Sequence, residues 1–115
     1  LKAITATTPL GNPYRPFDLV KLTLAAGAAY AARWPVTRPI ELTQAIKKAI
    51  TTPAFSFVDI LSPCPTHYGR MNKIPGAATG MYQWLDDQCT RQGEAGAMEP
   101  EERAGRVVVG DWTDA

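Results

Sequence analysis

The chain has 115 residues, which is enough for one domain or for part of a larger one. Hydrophobic residues make up 45% of the sequence and charged residues 20%, a balance that excludes collagen-like, disordered and coiled-coil chains. The formal net charge of +1 lacks the basic excess that non-specific nucleic-acid binding needs. No apolar run approaches the ~18 residues of a membrane-spanning helix, and two cysteines do not make a disulfide framework.

The first residues predict a loop. The chain begins at Leu1 without an initiator methionine, and its first ten residues lack the apolar core of a signal peptide. We therefore expect a processed chain or a segment of a longer protein. Repeated prolines and glycines predict that residues 1–16 cross a surface or line a site and do not build a core.

A helix, a strand and a second helix are predicted after this loop. Apolar spacing places the first helix over residues 16–26, and small apolar residues predict a strand over 28–33. The second helix is expected to begin after Thr37 as its N-cap, with Pro39 in the first turn. The apolar stripes expected on the two helices are Leu19, Leu22, Ala25 and Ala26 on the first, and Leu42, Ile46, Ala49 and Ile50 on the second.

Residues 54–62 form the strongest predicted strand, because aromatic and β-branched side chains dominate them. Their near-continuous apolar character predicts burial on both faces, as in a parallel sheet. The rest of the prediction is a loop over 62–76, a helix over 77–91, a mobile surface excursion over 92–105, a short strand over 106–110 and no signal over 111–115. Alternating strands and helices predict an α/β layered fold. Three strands are few for such a fold, which again indicates a missing segment.

Cys64 is the residue with the clearest capacity for chemistry. It follows the strongest strand, and ligands bind beyond the carboxyl ends of strands in open α/β sheets. Pro63 and Pro65 hold the thiol stiffly. The residues alone leave three interpretations open: a nucleophile activated by His67, an iron–sulfur ligand, and an inert thiol.

Other groups near this cysteine carry weaker signals. His67 is the single histidine, and the nearest acid in sequence, Asp59, is no evident partner to orient it. Arg70 and Lys73 form a small basic cluster, interpreted either as solvated surface or as a docking spot for an acidic partner. Cys89 lies in the predicted third helix and is expected to be a packed thiol. No zinc or nucleotide motif is present.

A series of motifs, taken in order, resembles one enzyme family. The motifs are Thr-Thr-Pro-Leu-Gly-Asn-Pro at 7–13, Pro-Phe-Asp at 16–18, Leu-Ala-Ala-Gly-Ala at 24–28, Phe-Ser-Phe-Val-Asp-Ile-Leu-Ser-Pro-Cys-Pro-Thr at 55–66 and Gly-Arg-Met-Asn-Lys at 69–73. They resemble the C-terminal part of the β subunit of 2-oxoacid:ferredoxin oxidoreductases. The Pro-Thr-His-Tyr-Gly-Arg run at 65–70, followed by Asn72 and Lys73, is most similar to the 2-oxoglutarate branch.

The resemblance implies a fold, an activity and a set of cofactors. The fold class is α/β, part of a thiamine-diphosphate-binding-type layered fold with a mostly parallel sheet and helices on both faces. Enzymes of this family oxidatively decarboxylate a 2-oxoacid to its acyl-CoA with thiamine diphosphate, magnesium and a [4Fe–4S] cluster. By the same resemblance Cys64 is the fourth iron–sulfur ligand. The other three ligands, and the residues that hold thiamine diphosphate and magnesium, lie outside this chain.

The resemblance also implies an organisation and a set of partners. Residues 1–16 are the loop that follows the cofactor site, 17–91 the C-terminal α/β part, and 92–115 a surface excursion with a terminal strand. Expected partners are the remainder of the β subunit, an α subunit, ferredoxin, the 2-oxoacid and coenzyme A, in the cytoplasm, without nucleic acid or membrane.

Because the cofactor-binding half is absent, this segment alone is expected to be inactive and to contain no catalytic residue. The residues leave two alternatives to an iron–sulfur subunit open. The alternative from a different class is a non-catalytic α/β interaction module, in which Cys64 is a plain turn residue. The nucleophile interpretation, a small cysteine hydrolase, is disfavoured by the resemblance.

Overall fold

Four strands make one sheet in the computed structural model, which describes residues 3–113. The strands are β1 (Tyr30–Pro35), β2 (Ser56–Leu61), β3 (Cys89–Arg91) and β4 (Val107–Thr113). The helices are α1 (Leu19–Ala25), α2 (Pro39–Thr51), α3 (Ala77–Gln88), α4 (Gln92–Ala95) and α5 (Pro100–Arg103). A five-residue π-helical turn, Pro65–Gly69, follows β2.

The strand order is β2-β1-β4-β3, and two of the three neighbouring pairs are parallel. β1 and β2 run parallel from the pair Tyr30–Ser56 to the pair Pro35–Leu61. β3 is parallel to β4, whereas β4 is antiparallel to β1. The predicted α/β class with a mostly parallel sheet is therefore confirmed, with four strands in place of the three predicted.

Alternate residues of β1 point to opposite faces of the sheet and so show where the helices lie. Ala32 and Trp34 belong to one buried cluster with Ala45 of α2. Arg33, between them in sequence, points the other way and donates a 3.0 Å hydrogen bond to Asp18, the N-cap residue of α1. α1 and α2 therefore cover opposite faces of the sheet, as predicted.

Arg33 ties the α1 face of the sheet together. Its Nε donates to Asp59 of β2 at 2.8 Å, its Nη2 to Asp18 at 3.0 Å, and its Nη1 to the carbonyl oxygen of Val108 at 3.4 Å. The Arg33 side chain is 12% exposed. Because two carboxylates and a carbonyl satisfy it, this cation is stable in a largely enclosed position.

α1 is shorter than predicted and buries a different face. It begins at Leu19 because the Asp18 carboxylate accepts a hydrogen bond from the backbone N–H of Lys21, the usual N-cap arrangement. Val20 is 2% exposed, whereas Leu19 and Leu22 of the predicted stripe are 42% and 56% exposed. That prediction is wrong, since two helical turns carry too few apolar positions for their spacing to select the buried face.

α2 lies where it was predicted but lacks the predicted cap. Its N-cap position is Arg38, which makes no side-chain capping bond, and the Thr37 hydroxyl donates instead to Asp86 of α3 at 2.8 Å. Thr37 therefore donates to a distant carboxylate and does not accept the local backbone N–H that a capping hydroxyl would bind. The buried side of α2 is partly the predicted one: Leu42, Ala45 and Ala49 pack against the core, while Ile46 and Ile50 are exposed.

β1, and not β2, is the buried parallel strand. Five of the six residues of β1 are buried, whereas β2 lies at the edge of the sheet and is half-buried. The predicted two-face burial of residues 54–62 is therefore wrong, because an apolar run does not show where in the sheet its strand lies. β1 also spans Tyr30–Pro35, two residues further along than predicted.

The C-terminal part of the chain holds more secondary structure than predicted. α3 ends at Gln88, and Cys89 has an extended conformation, with φ −87° and ψ 136°, that begins β3. The predicted helix over 77–91 is therefore too long, since the pairing of Cys89 with Val107 is a contact that no local pattern records. β4 continues to Thr113, and Gly110, with φ 152°, separates its β3-paired part from its β1-paired part.

The predicted division into residues 1–16, 17–91 and 92–115 stays a prediction. Residues 1, 2, 114 and 115 lie outside the described residues. The excursion predicted over 92–105 contains the short helices α4 and α5. Across residues 3–113, no helix has the length and apolar character that spanning a membrane requires.

Gly80, in the first turn of α3, lies against the chain that precedes the helix. A Cβ atom at this position would be 1.7 Å from the carbonyl oxygen of Pro75, a backbone atom that cannot rotate away. We expect Gly80→Ala to lower the free energy of unfolding by at least ~2 kcal/mol, measured by urea unfolding.

Gly93→Ala is the matched control, because no atom lies within 4 Å of a Cβ built at that position of α4. This control is expected to leave the free energy of unfolding unchanged or to raise it by up to ~1 kcal/mol. If both variants lost the same free energy of unfolding, the close contact of residue 80 with the Pro75 carbonyl oxygen would not be what destabilises Gly80→Ala.

Candidate functional site

Cys64 lies beyond the carboxyl end of β2, where the π-helical turn begins. It is the N-cap residue, with φ −121° and ψ 90°, and Pro65 occupies the first position inside the turn. Proline suits that position because the first N–H of a helical turn has no acceptor within it. The Cys64 side chain is exposed, so its sulfur is accessible to a group that approaches from outside.

The turn lowers the pKa of the Cys64 thiol. The main causes are the backbone N–H groups of Tyr68 and His67, which face the sulfur, and the Thr66 hydroxyl and N–H add to them against a smaller desolvation. The sulfur lies 4.0 Å from Thr66 Oγ1. N–H groups at the start of a helical turn stabilise a thiolate, which is the form of cysteine that binds metals and reacts with electrophiles.

Gly69 lets the turn pack closely on α3. Its N–H donates to the Cys64 carbonyl oxygen at 2.9 Å, and a Cβ at residue 69 would lie 2.8 Å from Met81 Cγ. The rings of Tyr68 and Trp84 also meet, with centroids 5.4 Å apart. Residues 62–76, predicted to be a loop, therefore contain a helical turn, because one turn held by tertiary contacts leaves no periodic pattern in the sequence.

A depression of about 230 Å³ opens beside the Cys64 sulfur. Its lining comes from two places in the chain and consists of Ile4, Thr5, Ala6, Cys64, His67, Tyr68 and Met71. Asn72, to which sequence analysis assigned no role, hydrogen-bonds the backbone of Ile4 and so joins these two places. No local sequence pattern marks Asn72, because its partner Ile4 lies 68 residues away.

The predicted nucleophile arrangement is not assembled. His67 is exposed, and within residues 3–113 the side-chain partner of the Cys64 sulfur is Thr66 and not the imidazole. Asp59, the acid nearest in sequence, is bound to Arg33 at 2.8 Å and does not orient the imidazole. A cysteine hydrolase also needs a general acid–base group beside the thiol to protonate the leaving group and activate water, so the geometry favours a ligand or an inert thiol over a hydrolase.

Cys89 is a packed thiol, as predicted. Its sulfur donates to the Leu85 carbonyl oxygen at 3.2 Å, and burial raises the pKa of Cys89. Both cysteines are free. Within the described residues, no three His, Cys, Asp or Glu side chains are grouped as they are around a metal ion. Any metal centre at Cys64 therefore needs further ligands from outside this part of the chain.

Arg70 and Lys73, the predicted basic cluster, are exposed, and neither has an ion-pair partner among residues 3–113. Lys73 has a left-handed φ of 54°. The N–H of Ile74 donates to the Gly69 carbonyl at 2.8 Å, and that of Lys73 to the Arg70 carbonyl at 3.3 Å. These bonds form the Schellman ending of a helix, in which glycine usually takes the left-handed position.

Replacing Lys73 with glycine should remove this backbone strain. A left-handed conformation costs a residue with a Cβ about 1 kcal/mol, so Lys73→Gly is expected to raise the free energy of unfolding by up to that amount in urea titrations. Lys47→Gly, at an exposed position inside α2, is the control and should lower it by about 1 kcal/mol. A loss of stability in Lys73→Gly would contradict the strained conformation.

Comparisons with known proteins point to one enzyme. No family model matches the chain. It is 38% identical over 109 residues to 2-oxoglutarate synthase subunit KorB of Methanothermobacter marburgensis, covering 95% of this chain and 38% of the relative. KorB of Methanocaldococcus jannaschii is 40% identical over 108 residues, covering 94% of this chain and 40% of the relative. The chain therefore spans about two-fifths of the length of these relatives.

A solved structure shares the fold. It is described as 2-oxoglutarate:ferredoxin oxidoreductase from Magnetococcus marinus with 2-oxoglutarate, coenzyme A and succinyl-CoA bound. The match covers 99% of this chain and 39% of that chain, with a TM-score of 0.69 and 22% sequence identity. The KorB alignments confirm the resemblance found in the sequence: over nearly its whole length the chain is similar to part of 2-oxoglutarate synthase subunit KorB.

Proposed function

We propose that this chain is part of the β subunit of a 2-oxoacid:ferredoxin oxidoreductase, and that Cys64 binds one iron of its [4Fe–4S] cluster. The substrate that we assign is 2-oxoglutarate, which the similarity to KorB supports. The observation that carries the proposal is the exposed Cys64 thiol of lowered pKa, held on a turn that is packed against α3.

Three properties of Cys64 fit an iron ligand. The lowered pKa favours the thiolate, which is the form that binds iron. The N–H groups of Tyr68 and His67 that face the sulfur are of the kind that tunes reduction potentials in iron–sulfur proteins. The flanking prolines and the contact of Gly69 with Met81 hold the sulfur in place, so little reorganisation accompanies electron transfer.

The cofactors and this chain have separate roles. Thiamine diphosphate with magnesium supplies the carbon chemistry, and the cluster carries single electrons. In the overall reaction a 2-oxoacid loses carbon dioxide, coenzyme A takes the acyl group and releases its thiol proton, and two electrons reduce two ferredoxins. We assign the binding of thiamine diphosphate and magnesium to residues outside this chain. The part of this chain is to hold the cluster at Cys64, and the chain alone is inactive.

The proposed partners are the rest of the β subunit, an α subunit and ferredoxin, in the cytoplasm. Large apolar side chains on the surface support burial against further protein: Leu10 is 100% exposed and Phe17 86% exposed. Leu19 and Leu22, on the same part of the chain, are also exposed. Burial against further protein would remove this apolar surface from water.

The ligand assignment is tested by replacing Cys64 in the assembled enzyme. Cys64→Ser should lose iron and the visible absorbance of the cluster and change its electron paramagnetic resonance spectrum, because a serine hydroxyl is a poor iron ligand. Cys89→Ala is the matched control, since Cys89 is buried and bonded to Leu85. The control should keep the iron content of the unsubstituted enzyme.

A full cluster in Cys64→Ser would overturn the ligand assignment. A different outcome, in which the assembled and unsubstituted protein contains no iron, would favour the alternative of a non-catalytic interaction module. Iron loss in Cys64→Ser and Cys89→Ala alike would point to a general loss of structure and would also count against a specific ligand.

The basic cluster Arg70 and Lys73 follows Cys64 closely and is proposed to meet acidic ferredoxin. Reversing both charges, Arg70→Glu with Lys73→Glu, is expected to slow association with ferredoxin about tenfold or more at low salt, and the difference should shrink as salt is added. Stopped-flow ferredoxin reduction measures this rate. The control reverses two exposed cations elsewhere, Lys47→Glu with Arg103→Glu; association rates that are equal in both double variants would remove the proposed role.

A further inference from the structure

We propose that Asn72 is a positioning residue that fastens the N-terminal turn, residues 3–12, beside Cys64, and so limits the access of water to one side of the metal centre and lowers its reduction potential. This inference rests on the proposed function, because it concerns the surroundings of a cluster bound at Cys64. It goes further in assigning a role to a residue that does not bind iron and to a segment 60 residues away in sequence.

All the hydrogen-bonding capacity of the Asn72 amide is directed at two backbone sites. Its Oδ1 accepts from the N–H of Ile4 at 2.8 Å, and its Nδ2 donates to the Ile4 carbonyl at 3.0 Å. The second Nδ2 hydrogen is donated to the Tyr68 carbonyl at 2.9 Å. An asparagine side chain has two donors and one acceptor oxygen, and here each of them is used. Asn72 therefore bonds Ile4 as a neighbouring β-strand would.

The two sites that Asn72 joins are each held firmly. The backbone N–H of Asn72 donates to the Tyr68 carbonyl at 3.0 Å, and the Schellman bonds of the next two residues follow directly. On the other side, Thr5 and Thr8 exchange backbone hydrogen bonds at 3.3 and 3.1 Å, and Asn12 N–H donates to the Ala3 carbonyl at 3.0 Å. The N-terminal turn is therefore a unit, bonded within itself.

Asn72 provides the side-chain hydrogen bonds that attach this unit to the rest of the described chain. The other side-chain bonds of residues 3–12 are local, such as that between the Thr5 and Thr8 hydroxyls at 2.6 Å. Two bonds to Ile4 therefore hold one wall of the depression beside Cys64 in place. Each bond of this kind contributes about 1 kcal/mol, so losing both is expected to raise the opening of the turn about tenfold or more.

Opening of the N-terminal turn has two physical consequences at Cys64. Ile4, Thr5 and Ala6 form one wall of the depression beside the sulfur, and opening of the turn removes this wall and admits water there. Reduction adds negative charge to an iron–sulfur centre, and water stabilises the more negative state, so exposure moves the reduction potential to more positive values. Chelators also reach the iron more often when the covering segment is open.

The test uses the assembled enzyme with Asn72→Ala, and with Asn72→Leu, which keeps a side chain of similar size and no charge but has no hydrogen-bonding group. Both variants should keep their iron, show a more positive midpoint potential in a redox titration followed by electron paramagnetic resonance, and release iron to a chelator about tenfold faster or more. Hydrogen exchange of the Ile4 N–H should accelerate. Asn12→Ala is the control, because Asn12 bonds only the nearby N–H of Tyr14 through its side chain.

Ile4→Pro breaks the same contact from the other end, since proline has no N–H to donate to Asn72, and it serves if the Asn72 variants do not assemble. An unchanged potential and chelation rate in the variants that assemble would overturn the role of Asn72. If the role of Asn72 is overturned but Cys64→Ser loses iron in the same experiments, the proposed function still stands. If Cys64→Ser keeps a full cluster, the proposed function and this inference both fail.

Discussion

The hydrogen bond from the Gly69 N–H to the Cys64 carbonyl closes the turn on which the chemistry of Cys64 depends. The turn can lie against Met81 because residue 69 has no Cβ, and α3 can approach Pro75 because residue 80 has none. The closed turn then presents backbone N–H groups to the sulfur and lowers the pKa of Cys64. Backbone geometry, and not an acid–base partner, therefore favours the thiolate, the form that the proposed iron ligand requires.

The sheet decides where this turn is presented. β2 runs parallel to the buried strand β1 and lies at the edge of the sheet, so the chain that leaves its carboxyl end emerges at a margin that other protein can reach. Arg33 holds β2 to α1 through Asp59 and Asp18. An edge position is a disadvantage for an isolated domain. It suits a chain that spans two-fifths of its KorB relatives and whose proposed cluster takes its other ligands from elsewhere.

The proposals divide the surroundings of Cys64 between protection and access. Asn72 holds the N-terminal turn as a wall beside the sulfur, where water would raise the proposed cluster's reduction potential. Arg70 and Lys73, on the same stretch of chain, are exposed and unpaired within residues 3–113, as a docking surface for an acidic electron acceptor requires. In these proposals the stretch from Cys64 to Lys73 holds a ligand, the residue that fastens the neighbouring wall, and a contact surface.

Sequence by itself determined what depends on neighbouring residues: the α/β class, the positions of α2, β1 and β2 to within two residues, and a stiff Cys64 between prolines beyond a strand. These follow from residue spacing and from proline geometry, which are local. Only the tertiary structure decided that β2 is an edge strand, that Cys89 pairs with Val107 to begin β3, and that Thr37 bonds Asp86. Nor could local pattern show that Asn72 meets Ile4, 68 residues away, because such contacts arise from the packing of whole elements and leave no periodic trace in the chain.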